Sequence, residues 1–415
     1  MNATMNNESK LTGRMVLVVF FAFLAYVLDI MDWNLLTFSA PVILKEMGFT
    51  GTQMGFLLGA PMLGGGIGGL FAGWFADKLG RKKAMIITLC WFSIFTILFP
   101  FGKTFAMLMT LRLLAGLGLG AQWGIGNTIV AETIARKFAM RASALVQSAG
   151  AIGPLLGAFV VMQILPVYGW KPIFYVGALG LVLALFVGLF LKESDIWLAA
   201  KDKHQAGETK LADLSLFLKQ PNLKRFILFF IMLVFCAYAY YGAMSWIPTW
   251  LATTKGFGVV KSMGYMVALN LGGFFGYFIA AYIADKFGRK PPAIAYLLLS
   301  VLGVLIFVSV KDPGTLMWIA PLYAFLTYPF FGLVGGYATE LFPTEIRSTA
   351  INALWNVARM FAFFAPTLLA WVGTKTSLTF AIGCTAVMYL LAALPLVFLP
   401  ETKHANAFNT STMSR

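Results

Sequence analysis

Gly73-Trp74-Phe75-Ala76-Asp77-Lys78-Leu79-Gly80-Arg81-Lys82-Lys83 is the most polar short run in the first third of a very apolar chain. A close copy follows as Ala281-Tyr282-Ile283-Ala284-Asp285-Lys286-Phe287-Gly288-Arg289-Lys290, with Asp285 placed 208 positions after Asp77. Glu132 and Glu340, each closing a long apolar run, are also 208 positions apart. Two unrelated markers with one offset indicate an internal duplication, the feature to seek before any other.

Composition sets the class. Of 415 residues, 60% are hydrophobic and 11% charged, against a charged share of about 25% in soluble domains. Apolar runs of about 20 residues recur along the whole length, as bilayer-spanning helices require. The chain therefore reads as a polytopic membrane protein. Its net charge of +15 does not mark a nucleic-acid partner, because the basic residues fall in alternate short loops, the pattern that orients membrane proteins. Cys90, Cys236 and Cys384 lie in separate apolar runs without a CxxC pair, so neither a disulfide framework nor a metal site is indicated.

Residues 1–14 read as a cytoplasmic tail. An apolar core ending near Phe38-Ser39-Ala40 raises the alternative of a signal peptide, but the segment from Met15 is long for one and carries Asp29 and Asp32. It is taken as span 1, 15–38. The other expected spans are 53–75, 84–102, 104–130, 143–164, 171–191, 225–251, 262–284, 291–310, 314–338, 349–373 and 377–399. The expected organisation is an all-α membrane protein. A six-helix bundle over 15–191 and another over 225–399 are joined by a polar linker, 192–224, with a polar tail at 400–415. The linker stretch from Leu211 to Leu218 is patterned for an amphipathic helix lying on the membrane surface, although a plain tether fits it as well.

Charge tests this plan. With both termini and the linker inside, inward segments hold 22 of the 31 basic residues and outward loops hold 7, and Arg112 and Arg359 lie within spans. That asymmetry predicts cytoplasmic termini.

Two bundles of six spans, with G-x-x-x-D-x-x-G-R-K between spans 2 and 3 and a second copy between 8 and 9, resemble the major facilitator superfamily. Gly73, Asp77, Gly80 and Arg81 match its motif, and Asp285, Gly288 and Arg289 repeat it with Ala281 in place of the leading glycine. Arg112 followed by Gly116, Gly118 and Gly120, and Pro400-Glu401-Thr402-Lys403 after span 12, match further. The resemblance implies a secondary transporter working by alternating access as a monomer, in the cytoplasmic (inner) membrane of a bacterium, without a cofactor. It also implies that the motif residues, with Glu132 and Glu340 nearby, form a cytoplasmic gate. Charges at the membrane surface can pair and separate for about 0.3–1 kcal/mol. The alternative is that they only set topology.

Substrate chemistry must come from polar groups inside the spans, where each is costly unless paired or lining a cavity. Asp29 and Asp32 lie on one helix face, about 21 and 25 Å from the inner end of span 1. Arg112 lies about 12 Å in from the outer end of span 4, a similar depth. A carboxyl group in a low-dielectric site favours the neutral acid and a nearby cation favours the carboxylate. Asp29 or Asp32 is therefore the expected site of a coupling proton, with Arg112 responding to it. The competing reading has Asp32 capping span 1 and Asp29 in a static pair with Arg112. His204 and His404 fall in the linker and tail, so no histidine within a span serves as the switch.

Arg359 lies about 15 Å into span 11, with no acidic residue in that span. With Asn352 and Asn356 beside it, this guanidinium is suited to clamp a carboxylate bidentately. A structural partner for a carboxylate or carbonyl is the alternative. The sequence around Trp355-Asn356-Val357-Ala358-Arg359, the D-x-x-D of span 1, Trp246-Ile247-Pro248 and Gly169-Trp170-Lys171 resemble the sialate:H⁺ and aromatic-acid:H⁺ symporters. Span 1 departs from the aromatic-acid pattern at Ile30 and Met31. The resemblance implies proton-coupled uptake of a small organic anion, a sugar acid, aromatic acid or monocarboxylate. Gln122, Tyr240, Trp246 and Asn270 are further candidates for substrate contact, or else packing and interface residues. Span 5, Ala149-Gly150-Ala151-Ile152-Gly153-Pro154, partly matches a drug/proton antiporter signature, which keeps efflux as an alternative. A non-transporting sensor is another. No nucleophile, metal cluster or phosphate loop suggests an enzyme.

Overall fold

The computed structural model describes residues 12–134, 138, 142, 145–199 and 220–402, apart from the side chains at 281, 285, 344, 345 and 348. The tails, most of the linker with its Leu211–Leu218 stretch, and the Asp285 side chain lie outside the described residues.

Among the described residues the chain is helical, without strands. Twelve helices are long and apolar enough to cross a bilayer. They are α1 Gly13–Met47, α2 Gly51–Leu79, α3 Arg81–Phe101, α4 Phe105–Thr133, α5 Leu145–Tyr168, α6 Lys171–Phe190, α7 Asn222–Thr254, α8 Gly258–Ala284, α9 Lys290–Ser309, α10 Pro313–Leu341, α11 Thr349–Lys375 and α12 Leu378–Val397. The all-α, twelve-helix expectation holds. The largest difference is in α1, which continues nine residues past its expected end at Phe38, through Pro41. α2 also runs on to Leu79, so Asp77 and Lys78 belong to its last turn and the motif contains almost no loop.

Contacts divide the chain into two compact units. One comprises Met1–Leu36 and Ala60–Leu211, and the other Thr37–Gly59 and Ala212–Arg415. The division departs from a clean break at the linker because the C-terminal part of α1 and the start of α2 belong to the second unit. There Gly55 and Gly59 lie so close to the backbone of Thr367 and Phe363 that an added Cβ would come within 2.6 and 2.1 Å of it.

Close helix approach follows the repeat. In the first unit Gly64 and Gly68 of α2 rest against the carbonyls of Leu113 and Leu117 on α4. In the second, Gly272 and Gly276 of α8 rest against the carbonyls of Pro321 and Phe325 on α10. Each pair recurs after 208 positions. Small residues let backbones approach where lipid supplies no hydrophobic drive for helix association.

Prolines divide two spans of the second unit. α10 breaks at Tyr328, ahead of Pro329. The helix containing α11 runs Thr344–Ala362, then resumes at Ala365–Lys375 with Pro366 in its first turn. Proline lacks the N–H that would bond the carbonyl four residues back, and its ring crowds that carbonyl.

Candidate functional site

Each unit carries a polar cluster where the motif turns one helix into the next. Gly80 separates α2 from α3 at φ 96°, and Gly288 separates α8 from α9 at φ 100°. Only glycine takes such angles without strain. At Gly80 the space is also occupied, since a Cβ would lie 2.2 Å from Glu193 Oε2.

Arg81 is the hub of the first cluster. Its guanidinium contacts Asp77 Oδ1 at 2.8 Å and Glu132 Oε1 at 2.8 Å, and donates to the Ala76 carbonyl at 3.0 Å. Its backbone N–H donates to Glu193 Oε1 at 2.9 Å, and that of Lys82 does so at 3.2 Å. Trp197 Nε1 donates to the Asp77 carbonyl at 2.7 Å. Arg14 pairs with Asp195, and this bond holds the Asp195 carboxyl below the usual carboxylate range.

The second cluster repeats the first. Arg289 pairs with Glu340 at 3.0 Å. The N–H groups of Arg289 and Lys290 donate to Glu401 at 2.9 and 3.0 Å, and Thr402 Oγ1 donates to Glu340. Asp77, Arg81 and Glu132 are thus brought together in the first unit and Arg289 and Glu340 in the second. Gly73 stands apart, exposed, with open space around it. Glu193 was not singled out from the sequence. The signal was available, because it precedes Glu401 by 208 positions.

Deeper in the first unit, Asp32 on α1 and Arg112 on α4 form a buried ion pair, with Arg112 Nη1 donating to Asp32 Oδ2 at 3.0 Å. Arg112 is fully buried and Asp32 is 2% exposed. The guanidinium carbon lies 4.6 Å from the Phe99 ring centre and 4.8 Å from that of Phe174. Both rings meet Trp170 at 6.0 Å. The aromatic faces stabilise the cation where water cannot reach it. Asp32 Oδ1 has no hydrogen-bond partner among the described residues and the side chain borders a narrow crevice with Leu28, Phe92 and Gly180. Asp29, one turn earlier, is also buried. Gln122 ties α4 to α3, its Nε2 donating to Thr88 Oγ1 at 2.8 Å and to the Met85 carbonyl at 3.3 Å.

In the second unit Arg359 is partly buried, with no ion-pair or hydrogen-bond partner among the described residues. It lies in the last turn of the Thr344–Ala362 segment. The open carbonyls of that turn present the negative end of a helix dipole, which helps an unpaired cation to exist inside a span. Asn356 is buried and donates to the Asn352 carbonyl at 3.0 Å. Asn270 donates to the Met266 carbonyl at 2.7 Å within α8. Trp246 on α7 is buried and its Nε1 donates to the Pro366 carbonyl at 2.8 Å, which anchors the break in α11. Tyr240 on α7 meets Phe331 on α10 at 4.9 Å and Tyr328 at 5.2 Å, and Phe331 meets Trp355 on α11 at 6.1 Å. Asp32 and Tyr240 occupy corresponding places in the repeat, 208 positions apart. The duplication therefore carries a charge in one half and a ring in the other.

Comparison with known proteins agrees with this architecture. The profile of the Major Facilitator Superfamily matches residues 22–351. The cis,cis-muconate transport protein of Acinetobacter baylyi is 28% identical over 405 residues, covering 96% of this chain and 98% of that protein. The sialic acid transporter NanX of Escherichia coli is 27% identical, covering 91% and 92%. Among solved structures, a bacterial homologue of the human lysosomal transporter Spinster, inward-facing and unoccupied, superposes with a TM-score of 0.78. It shares 17% identity over 94% of this chain and 97% of that one, a likeness of fold alone.

Proposed function

This chain belongs to the Major Facilitator Superfamily, and on that premise we propose that it takes up a small organic anion together with a proton by alternating access. The observation that carries the reading is Arg359, a cation inside a span with no protein counter-charge among the described residues. An unpaired guanidinium in an apolar span is costly, and a substrate carboxylate offsets that cost through paired N–H···O bonds. Relatives that carry muconate and sialic acid support an anionic cargo.

The proton is assigned to Asp32. Its carboxylate is held by Arg112 through one oxygen while the other lacks a partner. Protonation removes the charge that holds Arg112, so the two states of the pair differ in what the guanidinium must find elsewhere. Asp29 is the second candidate, one turn away. The clusters around Arg81 and Arg289 are assigned to the inner gate at the cytoplasmic membrane surface.

Counterflow in proteoliposomes tests the cargo. Radiolabelled acetate, gluconate and benzoate are offered to vesicles preloaded with the same unlabelled acid. Saturable exchange that Arg359→Gln abolishes and Arg359→Lys weakens supports the reading. Exchange that is indifferent to Arg359→Gln, or absent for every acid, overturns it.

A further inference from the structure

The 208-residue offset reaches the surroundings of Arg359 as well as the motif, and the inference rests on the anion-carrier reading above. Phe331 and Trp355 meet at 6.1 Å, with Trp355 one helical turn before Arg359. Their counterparts in the first unit are Trp123 and Gln147. That pair is also joined, Trp123 Nε1 on α4 donating to Gln147 Oε1 on α5 at 2.9 Å. The charge is not repeated, since Ala151 stands where the second unit has Arg359. The first unit therefore carries a neutral polar group at the place where the second carries a ring beside a cation.

The bond between the pair fixes the direction of the amide. An indole N–H can only donate, so it selects the oxygen end of Gln147. Nε2 is left facing away from Trp123, with two N–H donors and no hydrogen-bond partner among the described residues. Gln147 is exposed, and its counterpart Trp355 lies eleven residues into the helix Thr344–Ala362, about 16 Å along the axis. Unpaired N–H groups at such a depth are costly against hydrocarbon and are tolerated where they line a cavity open to water. The neighbouring amide of Asn127 is engaged within its own helix, donating to the Trp123 carbonyl at 2.8 Å. Gln147 thus has donors to give and a set direction in which to give them.

We propose that Gln147 is a specificity-determining residue that donates to an uncharged acceptor on the cargo, such as a ring nitrogen or an ether, hydroxyl or carbonyl oxygen. Trp123 is the positioning residue that decides which end of the amide the cargo meets. A neutral donor suits an acceptor without charge and leaves the carboxylate to Arg359. An acid lacking such an acceptor displaces water from Gln147 and leaves its N–H groups unpaired, which is how a hydrogen-bonding site rejects an apolar isostere.

Thermal stabilisation of the purified protein by three isosteric pairs of acids reads this out. The pairs are benzoate and pyridine-4-carboxylate, cyclohexanecarboxylate and oxane-4-carboxylate, and pentanoate and 3-methoxypropanoate. Within each pair one carbon gives way to an uncharged acceptor and the carboxylate is kept. In at least one pair the acceptor-bearing acid is expected to bind the wild-type protein about fivefold more tightly, the scale of one hydrogen bond. Gln147→Leu should erase that preference, and Trp123→Phe, which lets the amide turn over, should weaken it. Gln147→Glu turns an acceptor toward the cargo and should invert it, the ratio within a pair cancelling the added charge. No preference in any pair that binds, or a preference unchanged by Gln147→Leu or Trp123→Phe, overturns the proposal. If binding still requires Arg359, the anion-carrier reading survives. Binding of no acid, or binding unaffected by Arg359→Gln, removes that reading and the proposal with it. Should Gln147→Leu or Trp123→Phe fail to fold, the wild-type ranking and Gln147→Glu decide.

Discussion

Glu193 and Glu401 each receive two successive backbone N–H groups at the start of a helix, from Arg81 and Lys82 in one unit and from Arg289 and Lys290 in the other. A carboxylate there satisfies donors that the helix cannot and meets the positive end of its dipole. Glu193 is partly buried and Glu401 is exposed. Glu193→Ala should therefore destabilise the protein by about 1–2 kcal/mol, and Glu401→Ala by less. The midpoint of thermal unfolding in detergent compares them. Equal losses, or none, would show that the bonds do not hold the turns.

The Asp32–Arg112 pair should be strongly coupled. Asp32→Asn keeps the shape and leaves a buried guanidinium uncompensated, a change that costs about 3–5 kcal/mol. Adding Arg112→Gln should recover part of that loss, so the double variant is more stable than the sum of the single effects. In transport, Asp32→Asn should abolish uptake driven by an acid-outside gradient while counterflow persists. Gradient-driven uptake by this variant would take the proton away from Asp32.

Helix contacts through glycine should reject a single methyl group. At Gly64 an added Cβ would lie 2.2 Å from the Leu113 carbonyl oxygen, and at Gly272 2.0 Å from that of Pro321. Backbone atoms cannot rotate aside, so Gly64→Ala and Gly272→Ala should each cost about 1–3 kcal/mol. Gly73 meets nothing within 4 Å, and Gly73→Ala should be neutral or slightly stabilising. Thermal midpoints of the three variants provide the comparison, and a neutral Gly272→Ala would contradict the close α8–α10 approach.

One pH effect has a definite sign. Asp312 caps the first segment of α10, accepting the Thr315 N–H at 2.6 Å and its hydroxyl at 2.8 Å. These bonds hold the Asp312 carboxyl below the usual carboxylate range. A depressed native value means that the cap's contribution is complete above the unfolded value of about 4 and lost as pH falls through the native one. The midpoint difference between wild type and Asp312→Ala should be wide at neutral pH and narrow below about pH 4. A difference independent of pH would remove the charged cap.

Much of this was legible from local signals. Hydropathy located all twelve spans, because each must satisfy its own backbone in lipid whatever its neighbours do. Depth along the helices placed Asp32 and Arg112 at one level before any contact was known. The 208-residue offset linked Asp77 to Asp285 and Glu132 to Glu340. The same offset pointed from Glu401 to Glu193, a signal that went unused because a lone glutamate beyond a span has no local pattern of its own. The expected end of α1 at Phe38 rested on the apolar core closing near Phe38-Ser39-Ala40, whereas the helix continues through Pro41 to Met47.

The sequence by itself determined the helical membrane class, the doubled plan, the motif turns and the spans that bear charge, since these follow from composition, periodicity and repetition. Tertiary structure decided which charges are paired. Arg112 meets Asp32 and two phenylalanine faces, whereas Arg359 meets no counter-charge among the described residues and sits instead at the carbonyl end of a helix broken before Pro366. The reason is physical: a charge in a span is tolerated through what other helices bring to it, and that depends on residues 80 positions away in sequence for Asp32 and Arg112.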